Sequence, residues 1–312
     1  MKKVLFTGGG GAGYEAFYRL LKKKYDLYFC DANPEFINPI IPINKKYKIP
    51  FANNHNFDSQ VENLYKKLNI DLLIPGVDEE LIKLSKMSKR KELNTLLPDL
   101  EFIKLHLNKL DSNNFLIKNN LPAPKVIRAD KGGLEFPCIV KPINGRGSRN
   151  VFLANNEEEV KAQITLSRKK SNEFILQEYI DGQEFTVNIS SDINGKLKAI
   201  VPVLVNVKKG ITISADMSKD NKVIEGCERI HRANRTPGCY NIQLIKDVKD
   251  NIIPFEINPR VSTTSCLSIA AGVDFINNYL SKEMNCEEFD PKTLTYNPKV
   301  SLRRFWYNNI TN

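Results

Sequence analysis

Glu256, Asn258 and Arg260 follow one another at intervals of two in the run Ile252-Ile253-Pro254-Phe255-Glu256-Ile257-Asn258-Pro259-Arg260. Side chains alternate along a strand, so a strand here puts Glu256 and Asn258 on one face and Phe255 and Ile257 on the other. One face packs, and the other offers a carboxylate and a carboxamide. Oxygen donors suit Mg2+, which is usually held by one or two protein groups together with substrate phosphates. Arg260 then supplies positive charge where a transferring phosphoryl group needs it.

A second constellation lies upstream. In Pro137-Cys138-Ile139-Val140-Lys141-Pro142 a lysine closes an apolar strand, so its ammonium emerges at the strand end. Asn144-Gly145-Arg146-Gly147-Ser148-Arg149 follows at once. Glycines let such a loop approach phosphates, its backbone N–H groups can bond their oxygens, and two arginines add charge. Further on, Ile175-Leu176-Gln177-Glu178-Tyr179-Ile180 runs into a turn before Glu184. Backbone groups at such a strand end can hold adenine, and a nearby carboxylate can accept both ribose hydroxyls.

These groups need elements to position them. Lys3–Thr7 and Asp26–Asp31 read as strands and Tyr14–Lys24 as a helix, followed by a helix over Val61–Leu68 and a strand over Asp71–Pro75. That alternation predicts a parallel α/β unit. Lys83–Lys91 reads as the wet side of a helix. A helix over Ser112–Asn119 leads to the connector Leu121-Pro122-Ala123-Pro124. Beyond Val126 the texture turns antiparallel. Strands are predicted over Phe136–Lys141, Phe174–Tyr179, Phe185–Ser191, Leu197–Val207, Tyr240–Lys246 and Ile252–Asn258, with Lys299–Tyr307 as a final one. Helices over Glu157–Ser167 and Lys222–Ala233 separate them. Asp192-Ile193-Asn194-Gly195 and Lys249-Asp250-Asn251 are hairpin turns.

Gly8-Gly9-Gly10-Gly11-Ala12-Gly13 lies between a strand and a helix, with Asp31 ending the next strand. Such a turn serves a dinucleotide pyrophosphate or purely structural ends, and the longer constellation downstream favours ATP over NAD. Asp78-Glu79-Glu80 follows the strand end at Pro75, where α/β sheets place ligands. It reads either as a binder of a substrate amine or as the acidic first turn of a helix. The segment Lys208–Ser214, with Gly210, follows a strand and is placed to reach an acceptor.

Composition is that of an ordinary globular chain, 41% hydrophobic and 26% charged over 312 residues, enough for about two domains. The net charge of +10 reads as a lysine-rich solvated surface, because no basic run is interleaved with aromatics as a nucleic-acid groove requires. Cysteines at 30, 138, 227, 239, 266 and 286 show no Cys-x-x-Cys spacing and read as reduced structural thiols. His55, His106 and His231 are too scattered for a zinc site. No apolar run approaches the ~20 residues of a membrane span, and the basic start is not followed by a signal-type apolar region. A cytoplasmic protein is expected, without membrane or nucleic-acid partners.

Together these pieces resemble the ATP-grasp superfamily, in particular one half of the carbamoyl-phosphate synthase large subunit and related free-standing ligases. The most specific stretch is Asn241-Ile242-Gln243, Glu256-Ile257-Asn258-Pro259-Arg260-Val261-Ser262 and Ala270-Ala271-Gly272. The resemblance implies a fold: a Rossmann-like α/β pre-ATP-grasp domain (1–105), then an α+β ATP-grasp fold with two antiparallel-sheet subdomains (106–182 and 183–312). It implies that Gln243 and Glu256 bind one Mg2+ (or Mn2+), and Glu256 and Asn258 another. Arg260 would contact the γ-phosphate and acyl-phosphate. Lys109 and Lys141 would touch the phosphates, and residues 144–149, including Gly145, Arg146, Gly147 and Ser148, would form the flexible loop. Glu178 and Ile180, with Tyr179 between them, would offer backbone to adenine, and Glu184 would hold the ribose.

One departure stands out. The synthase has a second arginine after the serine, where this chain has Thr263 and Thr264, which points away from bicarbonate. The resemblance implies a ligase that activates a small-molecule carboxylate as an acyl-phosphate and joins it to an amine. The alternatives are a kinase-like enzyme forming carboxyphosphate or another phosphorylated product, a nucleotide-binding module, and a nicotinamide-dependent oxidoreductase. A homodimer is left open.

Overall fold

The computed structural model describes residues 1–90, 92–280 and 289–306. Lys91, Cys286 and Tyr307, which figure in the sequence-based expectations, lie outside them.

The strands β1 (Lys3–Thr7), β2 (Asp26–Asp31), β3 (Lys46–Lys48) and β4 (Leu72–Ile74) form a parallel sheet in the order β3-β2-β1-β4. Strands covered on both faces need apolar residues in both phases. Accordingly, Val4 and Phe6 enter one buried cluster while Leu5 enters the other. The sheet is wrapped by α1 (Tyr14–Leu21), α2 (Phe57–Leu68) and α3 (Asp78–Lys89). Helix α2 starts four residues before the predicted Val61, because Phe57 is fully buried and belongs to the packed stripe.

Two helices, α4 (Leu100–Leu107) and α5 (Lys109–Lys118), connect to the antiparallel half. Asn108 caps α5, its side chain accepting from the amides of Leu110 and Asp111. Helix α4 was not anticipated. It straddles two cores: Ile103 packs with the parallel sheet and Phe102 with the larger antiparallel sheet.

The small sheet contains β5 (Val126–Arg128), β6 (Cys138–Pro142), β7 (Phe152–Ala154) and β8 (Phe174–Glu178), ordered β5-β8-β6-β7. Helix α6 (Glu157–Leu166) closes its core over Val140, Phe174 and Leu176. The large sheet is six-stranded: β9 (Gly182–Ser191), β10 (Leu197–Lys209), β11 (Ile211–Met217), β12 (Gly238–Asp247), β13 (Ile252–Asn258) and β14 (Ser301–Arg303). Its order is β13-β12-β9-β10-β11-β14, antiparallel throughout. Helix α7 (Asn221–Ala233) packs Val223, Ile224 and Ile230 on one face. The short α8 (Ser265–Ala270) and α9 (Phe275–Leu280) lie on the other side.

The segment 208–214, expected to follow a strand and reach an acceptor, forms a hairpin. β10 runs on to Lys209 and β11 begins at Ile211, with Lys209 paired to Ile211 across Gly210. Ile211, Ile213, Ala215 and Met217 alternate with Thr212, Ser214 and Asp216, so the strand period is present in the sequence although no strand was predicted there. The five described cysteines are buried and unbridged. Among the described residues no helix is long and apolar enough to cross a membrane.

The parallel sheet is not a separate body. One of its faces shares a core with Cys239, Val261, Cys266 and Phe275 from the large-sheet side. Gly238 shows how close the approach is: its φ is +81°, and a Cβ there would stand 2.5 Å from the Leu97 carbonyl oxygen. Gly238→Ala therefore combines an unfavourable backbone region with a clash against main chain. It should destabilise the protein by about 2 kcal/mol or more in urea unfolding, and a loss below half of that would show the contact to be slack.

Candidate active site

β12 and β13 pair so that Gln243 lies directly across from Glu256, and Asn241 across from Asn258. The carboxylate and both carboxamides predicted as oxygen ligands are thus brought together on one strand pair. The register slips between Gln243 and Leu244, which face Glu256 and Pro254. Phe255 is the extra residue of this bulge. A bulge breaks the alternation, so Phe255 does not join the packing face as the strand period implied. It lines the same cavity as Glu256, while Ile257 is buried as expected. Asn258 donates to Asn241 Oδ1 at 3.2 Å, and Asn241 in turn donates to the Arg260 carbonyl at 3.0 Å. This chain of amides fixes the backbone of the whole motif.

Three ammonium groups close on this strand pair. Lys109 Nζ lies 3.5 Å from Glu256 Oε1 and donates to the Gly145 carbonyl at 2.7 Å. Lys141, 3% exposed, donates to the Phe255 carbonyl at 3.1 Å. Burial brings its pKa down to about 8, with Glu256 opposing and Lys109 and Lys208 adding to the shift. Lys208 donates to Glu184 and, at 3.1 Å, to Gln243 Oε1, and stands over the Phe255 ring. Sequence reasoning took in Lys208 only as the start of the segment facing the acceptor and gave it no role of its own. Its signal was present: a lysine closing an apolar strand just before a glycine-containing turn, as at Lys141.

Two adjoining cavities meet here. One, about 260 Å³, lies between the small sheet and β13 and is lined by Ile139, Lys141, Tyr179, Ile180, Glu184 and Phe255. Glu178 is at its edge, its carboxylate accepting from the Lys125 amide. The other, about 720 Å³, lies between the large sheet and the parallel sheet and includes Gln243, Asn258, Arg260, Gly210 and Thr263. Glu256, Lys208 and the loop residues Arg146, Ser148 and Arg149 line both. The loop spans the junction: Ser148 Oγ is 3.5 Å from the Gly210 carbonyl, and Arg146 Nε pairs with Glu79 at 3.0 Å.

Asp78 and Glu79, expected to hold a substrate amine, are engaged with arginines. Asp78 ion-pairs with Arg260, both side chains 15% exposed, and Glu79 with Arg146. Burial works against the Arg260 charge, yet Asp78 keeps its pKa above the ordinary value. The two acids open α3, so the helix start also serves as the counter-charge.

The glycine turn does not offer a pyrophosphate cradle through its first amides. Gly9 N–H donates to Cys30 O, Gly10 N–H to Asp31 Oδ2 and Gly11 N–H to Gly8 O. Asp31 also accepts from the Asn33 amide, so the carboxylate that would take a ribose is used internally. Next to it Thr7 Oγ1 donates to Glu80, which is 5% exposed and lines the larger cavity. Burial raises the Glu80 pKa from 4.5 to about 8; the Thr7 bond opposes this, and Asp31 and Glu79 reinforce it.

Among the described residues no three His, Cys, Asp or Glu side chains cluster as a metal site. The donor set is one carboxylate with two carboxamides, all oxygen. That chemistry fits a hard divalent ion completed by phosphate oxygens and water, and does not fit zinc.

Residues 170–302 match the family described as ATP-grasp in the biosynthetic pathway with Ter operon, and residues 104–227 match the D-ala D-ala ligase C-terminus. The carbamoyl phosphate synthase large chain of Clostridium perfringens (strain SM101 / Type A) is 25% identical over 309 residues, covering 88% of this chain and 28% of its own. This chain therefore spans little more than a quarter of that relative. The D-alanine–D-alanine ligase of Buchnera aphidicola subsp. Schizaphis graminum is 24% identical over 312 residues, covering 88% of this chain and 95% of its own. Among solved structures, the biotin carboxylase domain dimer of Hydrogenobacter thermophilus 2-oxoglutarate carboxylase, in complex with MgADP, ADP and bicarbonate, gives a TM-score of 0.66 at 15% identity. It covers 88% of this chain and 68% of that one. At that identity the likeness concerns the fold.

Glu80 provides a test of the buried polar floor. Below its ordinary value of 4.5 both the folded and unfolded chain hold its proton; between there and about 8 only the folded chain does. Its contribution to stability is thus present at low pH and declines as pH rises to about 8. Glu80→Gln cannot ionise and keeps an acceptor for Thr7. Its melting temperature should gain on the wild type as the pH goes from 5 to 8; a pH-independent difference would contradict the protonated assignment.

Proposed function

Since the chain carries ATP-grasp domains across residues 104–302, we propose that it is an ATP- and Mg-dependent ligase that activates a carboxylate as an acyl-phosphate and joins it to an amine. One observation carries this reading: Glu256 and Lys208 stand in the wall shared by two cavities. The smaller has the lining for a nucleotide, with apolar walls beside lysines and Glu184, and the larger offers room for a second substrate at the phosphate end.

On this reading ATP lies in the smaller cavity. Its adenine sits against the backbone of Glu178, Tyr179 and Ile180, and its ribose hydroxyls donate to Glu184. Lys109, Lys141 and residues Gly145, Arg146, Gly147 and Ser148 meet the phosphates. Gln243, Glu256 and Asn258 would hold Mg2+, which when bound offsets the charge of the phosphate oxygens. A carboxylate oxygen in the larger cavity attacks the γ-phosphorus and ADP leaves. The amine nitrogen then attacks the acyl carbon, the bond to phosphate oxygen breaks, and the amine gives up a proton. Arg260 and Lys141 stabilise the charge spread over the transferring group. The 144–149 loop covers the junction and limits hydrolysis of the intermediate. Gly210 and Thr263 would contact the acceptor side. Asp78 and Glu79 act through Arg260 and Arg146 rather than by holding an amine.

The proposal divides the chain into a Rossmann-like unit over 1–105 and the two halves of the grasp over 106–182 and 183–312. The parallel unit here walls the acceptor cavity. The internally bonded amides of Gly9, Gly10 and Gly11 favour this over a nicotinamide site.

Glu256→Ala and Asn258→Ala should each lower Mg-dependent ATP turnover roughly a hundredfold or more, with circular dichroism and melting behaviour retained. Unchanged turnover in both variants would sink the proposal. A phosphate-release screen crossing carboxylates with amines, amino acids and amino sugars included, should find a productive pair, and an NAD titration should show no binding.

A further inference from the structure

Arg304 follows directly on the edge strand β14 and lies outside every motif considered above. Its backbone amide continues the β11–β14 ladder, donating to the Ile213 carbonyl at 2.9 Å. Its guanidinium turns inward. Nε donates to the Thr212 carbonyl at 2.8 Å and Nη2 to the Thr263 carbonyl at 2.8 Å. Thr212 and Thr263 both line the larger cavity, whereas Arg304 does not. The two carbonyls belong to chain segments 51 residues apart, one in the hairpin after Gly210 and the other just after Arg260.

A third element meets the same group. Gly13, φ +98°, begins α1 at the end of the glycine turn. A Cβ at Gly13 would stand 3.2 Å from Arg304 Nη1 and 3.2 Å from the Thr263 carbonyl oxygen. The neighbours Gly11 and Ala12 line the larger cavity. Three walls of the cavity therefore converge on one guanidinium placed behind them. Thr263 also accepts from the Cys266 thiol at 3.2 Å, so its carbonyl serves two donors.

We infer that Arg304 is a positioning residue for the acceptor cavity. It fixes the β10–β11 hairpin, the Thr263 segment and the glycine turn relative to one another, so that the second substrate meets a preformed wall. Two planar N–H donors at fixed separation suit this role, and a lysine can make only one such bond in the same place. The nucleotide cavity shares none of these three contacts. The effect of losing Arg304 falls mainly on the acceptor side, since Lys208 on the same hairpin is also held by Glu184 and Gln243. The inference takes the identity of the larger cavity from the ligase proposal.

The test compares wild type, Arg304→Ala and Arg304→Lys in three measurements. Calorimetry with MgADP should give the same dissociation constant for all three proteins. With the pair found by the phosphate-release screen, KM for carboxylate or amine should rise about tenfold in Arg304→Ala, with KM for ATP unchanged. Arg304→Lys should lie between, and added guanidinium at non-denaturing concentration should lower the raised KM of Arg304→Ala. Amide exchange should quicken at 211–214 and 261–266 in Arg304→Ala and stay unchanged at 138–154.

Equal losses of nucleotide and acceptor affinity, or no change in either, would overturn the positioning role. So would unchanged exchange at 211–214 and 261–266. Failure of every carboxylate–amine pair on the wild type would refute the ligase reading, and the exchange pattern with the MgADP constant would still decide whether Arg304 organises the cavity.

Discussion

The pairing of β12 with β13, with its bulge at Phe255, is the constraint on which the site depends. Antiparallel register sets Gln243 opposite Glu256 and Asn241 opposite Asn258. The bulge then turns Phe255 into the smaller cavity, where two lysine ammoniums lie over its ring. Without the slip, Phe255 would face the core and the cavity would lose its aromatic floor. With it, oxygen donors and an apolar surface share one side of a single strand, which ordinary alternation forbids.

Charge is assembled from separate lobes. Lys141 and the glycine loop come from the small sheet, Lys208 from β10 and Lys109 from the start of α5. All of them approach the side of the β12–β13 pair that presents Glu256. Burial costs the Lys141 charge most and the neighbouring ammoniums add to the cost, as its lowered pKa records. Glu184 and Glu256 offset part of this, and a polyphosphate bound as proposed would offset more. The cleft is thus less well satisfied by itself than with an anionic ligand, the usual state of a site shaped for binding.

The parallel sheet contributes to the site in a way that its fold alone would not suggest. Its glycine turn is tied internally by Asp31 and Cys30, and its α3 acids neutralise Arg260 and Arg146. Cys239, Val261 and Cys266 share a core with Phe6 and Phe29. A glycine-rich turn thereby serves as a cavity wall. The same close packing explains the need for glycine at Gly238, where the Leu97 backbone passes over β12.

The sequence determined the local features by itself. The parallel unit was legible from apolar strands in both phases, and Glu256, Asn258 and Lys141 from alternation and strand-end position. The 144–149 loop was legible from glycines followed by arginines. These signals are local, set by side-chain period and backbone freedom. What the sequence could not disclose depends on residues far apart along the chain. The bulge at Phe255 is visible only against the partner strand. Lys208 carries a strand-end signal, but its partners Glu184 and Gln243 are set only when β9 and β12 come beside it. Asp78, at the acidic start of a helix, meets Arg260 across 182 residues of chain. Arg304 matters only because three distant backbones meet at its guanidinium. The tertiary structure decided these, because the pairing of charges and carbonyls is a property of distance in space, which sequence spacing does not encode.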